Sequence, residues 1–225
     1  MRNKLLGIIG ELLIMAGLLV GGFVVWQQSQ EAQIASDQGE EAKELFAYWE
    51  KSPDEGFQPE IGWQQPDYGR GFAIIRIPKF GEDYQRIIAE GVGPNVMNDR
   101  KTGVGHYPGT TMPGDFGNFA LAAHRLGNGG PFLRVNELLA GDEILITSGE
   151  TTWVYAVTRL ETVRPQQTEV LDAVPGKREL TMTTCHPMYQ WHQRLIVKAE
   201  LVKIIKGNQE TLVGSALSGM GEPHV

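Results

Sequence analysis

The sequence predicts an all-β domain carried on an N-terminal transmembrane helix, and three observations lead there. From Gly71 onward, short runs rich in β-branched and aromatic residues alternate with Gly- and Pro-containing turns, with little helical periodicity. Seven or so such strands over about 135 residues describe a β-barrel or a β-sandwich. Ahead of them, an apolar run of about 22 residues from Leu5 to Trp26 is long enough to cross a bilayer. Between the two lies a polar, strongly acidic segment that reads as a spacer.

The apolar run is interrupted only by Glu11, near its N-terminal end, where a carboxylate can reach the headgroups. A secretory signal has an apolar core of roughly 7–15 residues closed by a small-x-small cleavage site. This run is longer and ends Trp26-Gln27-Gln28, so residues 1–26 read as an uncleaved signal-anchor, with a cleaved signal as the alternative. Arg2 and Lys4 flank one end; Glu31, Asp37, Glu40, Glu41 and Glu44 follow the other. Positive residues stay inside. The expected topology is therefore single-pass, with a cytoplasmic N-terminus and an extracellular body. The whole chain carries a formal charge of -7, which gives no basic field for nucleic acid.

Residues 27–70 read as an acidic extracellular stalk with one short amphipathic helix over residues 40–51, on Leu45, Phe46, Tyr48 and Trp49. Strands are expected at residues 72–77, 84–89, 119–123, 143–147 and 152–163, and on either side of Cys185. Gly105-His106-Tyr107-Pro108-Gly109 reads as a turn, residues 132–139 as a short helix, and residues 164–178 as a loop with two prolines. The domain closes near residue 205, and residues 206–225, rich in Gly and Ser, read as a flexible tail.

The chemistry centres on the only cysteine. Leu180 to Cys185 and Leu195 to Val202 read as two strands of a hairpin, with Cys185 ending the first and Arg194 opening the second. That brings a thiol beside a permanent cation. A free thiol outside the cell is exposed to oxidants, so Cys185 is either buried and inert or reactive by purpose. A thiol nucleophile needs a base or a nearby positive charge. Of five histidines, His124 is the best proton carrier, because it ends the apolar strand Phe119–Ala123. A zinc site built on Cys185, His186 and His192 lacks a fourth ligand, and adjacent residues on a strand diverge, so no metal is assigned. Each residue also has an ordinary reading: a small buried thiol, a hydrogen-bonded histidine, a surface ion pair.

Taken together, His124, the run Thr181-Met182-Thr183-Thr184-Cys185 and Arg194, in that order, resemble the sortases, membrane-anchored cysteine transpeptidases of bacteria. Met182 stands where that pattern has leucine, a swap that keeps volume and apolarity. The resemblance covers roughly residues 71–205 and implies a closed sortase-type barrel of about eight strands with short helices. Gly105 to Thr110, Leu121 to Arg125 and Cys185-His186-Pro187 are similar to the class E group of actinobacteria. Pro53 to Phe57 does not match the lid motif of pilus-building sortases, and no second membrane helix follows.

What the resemblance implies is acyl transfer without any cofactor. Cys185, His124 and Arg194 would be catalytic, with Tyr107 and Thr184 binding substrate. The partners would be secreted proteins bearing a Leu-Ala-x-Thr-Gly or Leu-Pro-x-Thr-Gly sorting signal, a peptidoglycan precursor amine as acceptor, and the membrane through the N-terminal helix. Pilin polymerisation, a thiol hydrolase that only releases acid, and a non-enzymatic tethered β-domain stand as alternatives.

Overall fold

The computed structural model describes residues 2–51, 65–207 and 209–213. Helix α1 spans Arg2–Lys51 without a break. Leu12, Leu13, Leu18, Leu19, Phe23 and Trp26 on its first half are exposed, and the apolar part is long and hydrophobic enough to serve as a membrane anchor.

The second half of α1 corrects the expectation of a spacer. The helix runs on through the acidic segment and lies on the β-domain. Gln38, Ala42 and Trp49 are buried, and Ala42 and Trp49 join Ile74 and Ile87 in a small cluster with Leu45 and Phe46 against it. These positions recur at i, i+4, i+7, i+8 and i+11, one face of a helix. Because a glutamine opens the stripe and an alanine follows, its N-terminal part hardly stands out from the acidic background. Several acidic residues are paired: Asp37 with Arg100, and Glu41 with Lys101. The segment Pro53 to Phe57 lies outside the described residues.

Among the described residues nine strands follow: β1 (Gly71–Arg76), β2 (Gln85–Glu90), β3 (Val104–His106), β4 (Gly117–Ala123), β5 (Glu143–Ser148), β6 (Thr151–Val163), β7 (Arg178–His186), β8 (Gln193–Lys206) and β9 (Gln209–Leu212). Their order is β6-β5-β1-β2-β3-β4-β7-β8-β9. A further pairing of β6 with β8, from Thr151↔Lys206 to Val163↔Arg194, closes the first eight into a barrel. Closure removes the sheet edges that would otherwise be left unpaired.

Two short elements were not legible as such. β3 has three residues, the last two of them inside the Gly-rich run read as a turn. Gly105 makes it possible, since a Cβ there would lie 2.2 Å from the carbonyl oxygen of Gly91. β9 pairs with β8 from Lys203↔Leu212 to Lys206↔Gln209, so strand structure extends past residue 206 into the segment read as a tail. The short helix expected at residues 132–139 reduces to a 3-10 turn at Val135–Glu137; a four-residue helix α2 spans Pro94–Met97.

The core fills the barrel: Ala73, Ile75 and Ile77 of the first strand region, Phe119, Leu121 and Ala123 of β4, Leu180 and Met182 of β7, and Leu195, Val197 and Ala199 of β8. Ile74 and Ile87 point the other way, into the cluster under α1. Two covered faces explain why Phe72 to Ile77 is apolar at every position except Arg76 instead of alternating.

Candidate active site

The site forms where three neighbouring strands reach one rim of the barrel. β4 and β7 run parallel, with Ala122 opposite Thr183. One residue on, the hydroxyl of Thr184 donates to the Ala123 carbonyl at 2.8 Å. The next residues, His124 and Cys185, leave the same end of the two strands. β7 then turns back into β8, and Cys185 stands directly opposite Arg194.

Strand alternation decides which side chains share a face. Leu180, Met182, Phe119 and Leu121 fill the core, so Thr183 and Cys185 on β7, and Ala122 with His124 beyond it on β4, turn outward. Arg194 does likewise, since Leu195 is in the core. Thiol, imidazole and guanidinium therefore lie on one outer face. All three residues are half-buried. Thr184 belongs to the opposite face of β7 and is buried. Its hydroxyl ties β7 to the end of β4, so it is turned away from the outer face and is not placed to bind substrate there, which corrects what the resemblance implied.

Tyr107 extends the same face. Its hydroxyl is hydrogen-bonded to Thr183 Oγ1 at 2.9 Å, one pleat from Cys185. The backbone behind it is held by a buried pair, His106 Nδ1 and Glu90 Oε2 at 2.6 Å. His106 Nε2 also meets Thr110 Oγ1 at 2.9 Å. The Thr110 hydroxyl already donates to the Tyr107 carbonyl, so Nε2 must be the donor to Thr110.

His124 Nε2 lies 2.8 Å from Asn98 Oδ1. An amide oxygen only accepts, so Nε2 carries the hydrogen and Nδ1 is left to take up or release a proton. Burial pulls the His124 pKa below its ordinary 6.5, and the carboxylate of Glu31 opposes that. The neutral ring is thereby favoured in the free chain.

Arg194 donates through Nη1 to the carbonyls of Trp191, at 2.9 Å, and Gln193, at 3.0 Å. Nε and Nη2 have no acceptor among the described residues and keep their donors for another. His186, next to Cys185, faces elsewhere: its Nδ1 accepts from Arg125 Nη1 at 3.0 Å, while Arg125 Nη2 donates to Asn136 Oδ1 at 2.9 Å. Burial first, then the charges of Arg125 and His192, hold the His186 pKa down. On the loop between β7 and β8, Tyr189 and Trp191 are strongly exposed, at 80% and 77%.

A thiol, an imidazole with one nitrogen fixed and a cation with spare donors on one face are the parts of a nucleophilic acyl-transfer site. A family model described as the sortase domain matches residues 75–202. The chain belongs to the sortase family. Sortases SrtE1 and SrtE2 of Streptomyces coelicolor are 34% and 32% identical to it, over 91% and 88% of this chain. The chain spans 60% of the length of the first and 83% of the second. The solved sortase E of Streptomyces avermitilis superposes with a TM-score of 0.57 at 37% identity, covering 63% of this chain and 93% of the other. A SrtA sortase from Actinomyces oris gives 0.59 at 35% identity, covering 64% and 86%. The sortase is thus of the class E kind found in actinobacteria.

Three residues around the sortase site escaped sequence reading. Asn98 sits in a stretch that reads only as a helical turn followed by loop, and its partner is 26 positions away. Arg125 reads only as the end of the Leu121 to Arg125 run, with no role of its own, yet it is 6% exposed. Gln38 lay in the presumed spacer. Each bond depends on loop placement, which no periodicity reports.

Proposed function

We propose that this sortase is a cysteine transpeptidase in which Cys185 attacks the Thr–Gly carbonyl of a Leu-Ala-x-Thr-Gly or Leu-Pro-x-Thr-Gly sorting signal. The sulfur–carbonyl bond forms and the Thr–Gly amide bond breaks, leaving a thioester on Cys185. His124 Nδ1 takes the Cys185 thiol proton as the sulfur attacks and gives it to the departing glycine amine, then takes a proton from the acceptor amine as that amine displaces the sulfur and returns it to the Cys185 thiolate. Arg194 donates through Nε and Nη2 to the signal backbone and the oxyanion that develops on the attacked carbonyl; its forked donors suit that task better than a lysine ammonium. Tyr107, held on Thr183, lines the same face toward the signal. The acceptor is a peptidoglycan precursor amine. The protein is held by α1 as a single membrane pass, with its N-terminus in the cytoplasm and the barrel outside.

The observation that carries this reading is the shared outer face: parallel β4 and β7 and the β7–β8 hairpin bring three residues, separated by 61 and 9 positions, to one rim. The test is incubation of the full chain in detergent micelles with each signal peptide and an amine, followed by mass spectrometry. We expect an acyl adduct on Cys185, a transpeptidation product with amine present, and neither with Cys185→Ala. Cleavage by Cys185→Ala at the wild-type rate would refute the mechanism. Release of free acid alone, with amine in excess, would favour a hydrolase.

A further inference from the structure

The inference here rests on His124 being the proton carrier proposed above, and it concerns what holds that ring. Asn98 Oδ1 accepts from His124 Nε2 at 2.8 Å and from Asn128 Nδ2 at 3.2 Å. Asn128 belongs to the turn that follows His124, where Asn128, Gly129 and Gly130 all have positive φ. Bonds from α1 reach that turn directly. Gln38 Nε2 donates to the Asn128 carbonyl at 3.2 Å and is 3.4 Å from the Asp99 carbonyl, and Glu31 Oε2 accepts from the Gly129 N–H at 2.9 Å.

The fit leaves no slack. Gln38 is fully buried. A Cβ on Gly103 would lie 2.5 Å from Gln38 Nε2, and one on Gly129 would lie 3.0 Å from both Gln38 Oε1 and the Ala35 backbone nitrogen. Gln38 Oε1 is buried without a hydrogen-bond partner among the described residues. A helix that merely packed would bury an apolar residue here. A buried amide with half its capacity unused costs free energy, which suits a residue kept for the two carbonyls its nitrogen reaches.

We propose that Gln38 and Glu31 of α1, acting through Asn98 and Asn128, are positioning residues that fix His124 as the Nε2–H tautomer with Nδ1 free for the proton transfer. The helix that reaches the membrane is on this view part of the reactive site. Because α1 is unbroken, Gln38 stands twelve residues, or about 18 Å, beyond Trp26, and the anchor sets both the height of the site and the state of its histidine.

The experiment uses the full chain in nanodiscs, labelled with ¹⁵N-histidine. The His124 resonances are assigned by their loss in His124→Gln, which also tests the catalytic role of the ring. In the wild type we expect ring nitrogens of a single neutral tautomer protonated at Nε2. Asn98→Ala and Gln38→Leu should move them toward the averaged shifts of a free imidazole, and Glu31→Ala, the variant least able to disturb folding, should move them the same way by less. Transpeptidation should follow, with kcat down about fivefold to tenfold for Asn98→Ala, as for loss of one hydrogen bond, and KM nearly constant. Lys43→Ala, which breaks an ion pair between α1 and Asp83 away from the turn, should change neither. Unchanged His124 shifts in Asn98→Ala, or in both α1 variants, would overturn the proposal. So would altered shifts with wild-type kcat while His124→Gln is inactive. An active His124→Gln would instead count against the mechanism, with the tautomer still read separately.

Discussion

His124 shares an outer rim with Cys185 and His186 follows Cys185 in the chain, yet the surroundings of the two rings fix them in different ways. His124 gives its Nε2 hydrogen to an amide oxygen; His186 offers the lone pair of Nδ1 to a guanidinium that can only donate. Arg125 is buried, so its removal would leave His186 Nδ1 and Asn136 Oδ1 short of a donor. Arg125→Met should cost about 0.5–1.5 kcal/mol, the range for a lost hydrogen bond, because His186 is only half-buried and Asn136 is exposed and both can turn to water; this is measured as a lower urea midpoint, and the His186 pKa should rise because a positive neighbour is gone. Tyr107→Phe loses only the bond to Thr183, about 0.5–1.5 kcal/mol, and should alter the ratio of rates on the two signal peptides more than stability. A variant with an unchanged ratio would remove Tyr107 from signal reading. At this scale the sequence was informative where a hairpin or a strand end placed the residue, as for Cys185, Arg194 and His124. It was silent on Asn98 and Arg125, whose partners arrive through loops 26 and 61 positions away.

Among the elements, the strands were the legible part, since alternating or fully apolar runs bounded by Gly and Pro survive in any context. β3 was not, because three residues carry no period and its pairing rests on Gly105 reaching the Gly91 carbonyl. Gly105→Ala should therefore open the β2–β3 contact at a cost of about 1–3 kcal/mol, as overpacking does, with loss of amide protection at Val104 to His106. Helix α1 shows the other limit. Its acidic surface matches that of a solvated stalk, and only the burial of Gln38, Ala42 and Trp49 reveals a docking face. Trp49→Ala removes the largest side chain of that face. Hydrogen exchange over residues 38–49 should then speed up, while β4, β7 and β8, closed into the barrel by their own pairings, keep wild-type protection.

For the molecule as a whole, the response to acid follows from which groups folding moves, and in which direction. His124 and His186 have folded-state pKa values below their ordinary 6.5, burial being the main cause of each. The unfolded chain then binds more protons than the folded one as pH falls through 6.5, and stability declines there until both rings are protonated in the folded state too. Glu137 and Asp142 are lowered in turn, chiefly by hydrogen bonds from Arg134 and Lys79 respectively. Their contribution is present above the ordinary carboxylate range and is lost as pH drops through their folded values, so it adds to the loss only in stronger acid. Asp115, raised by burial, works against them, since its charged form is the disfavoured one. The urea midpoint should thus begin to fall near pH 6.5, well before any carboxylate is neutralised. In His186→Gln the early part of that fall, between about pH 7 and 5.5, should shrink while the later part is kept. A midpoint that stays level down to the carboxylate range would mean that neither histidine is desolvated by the fold, and the neutral, Asn98-bound form of His124 would lose its physical basis.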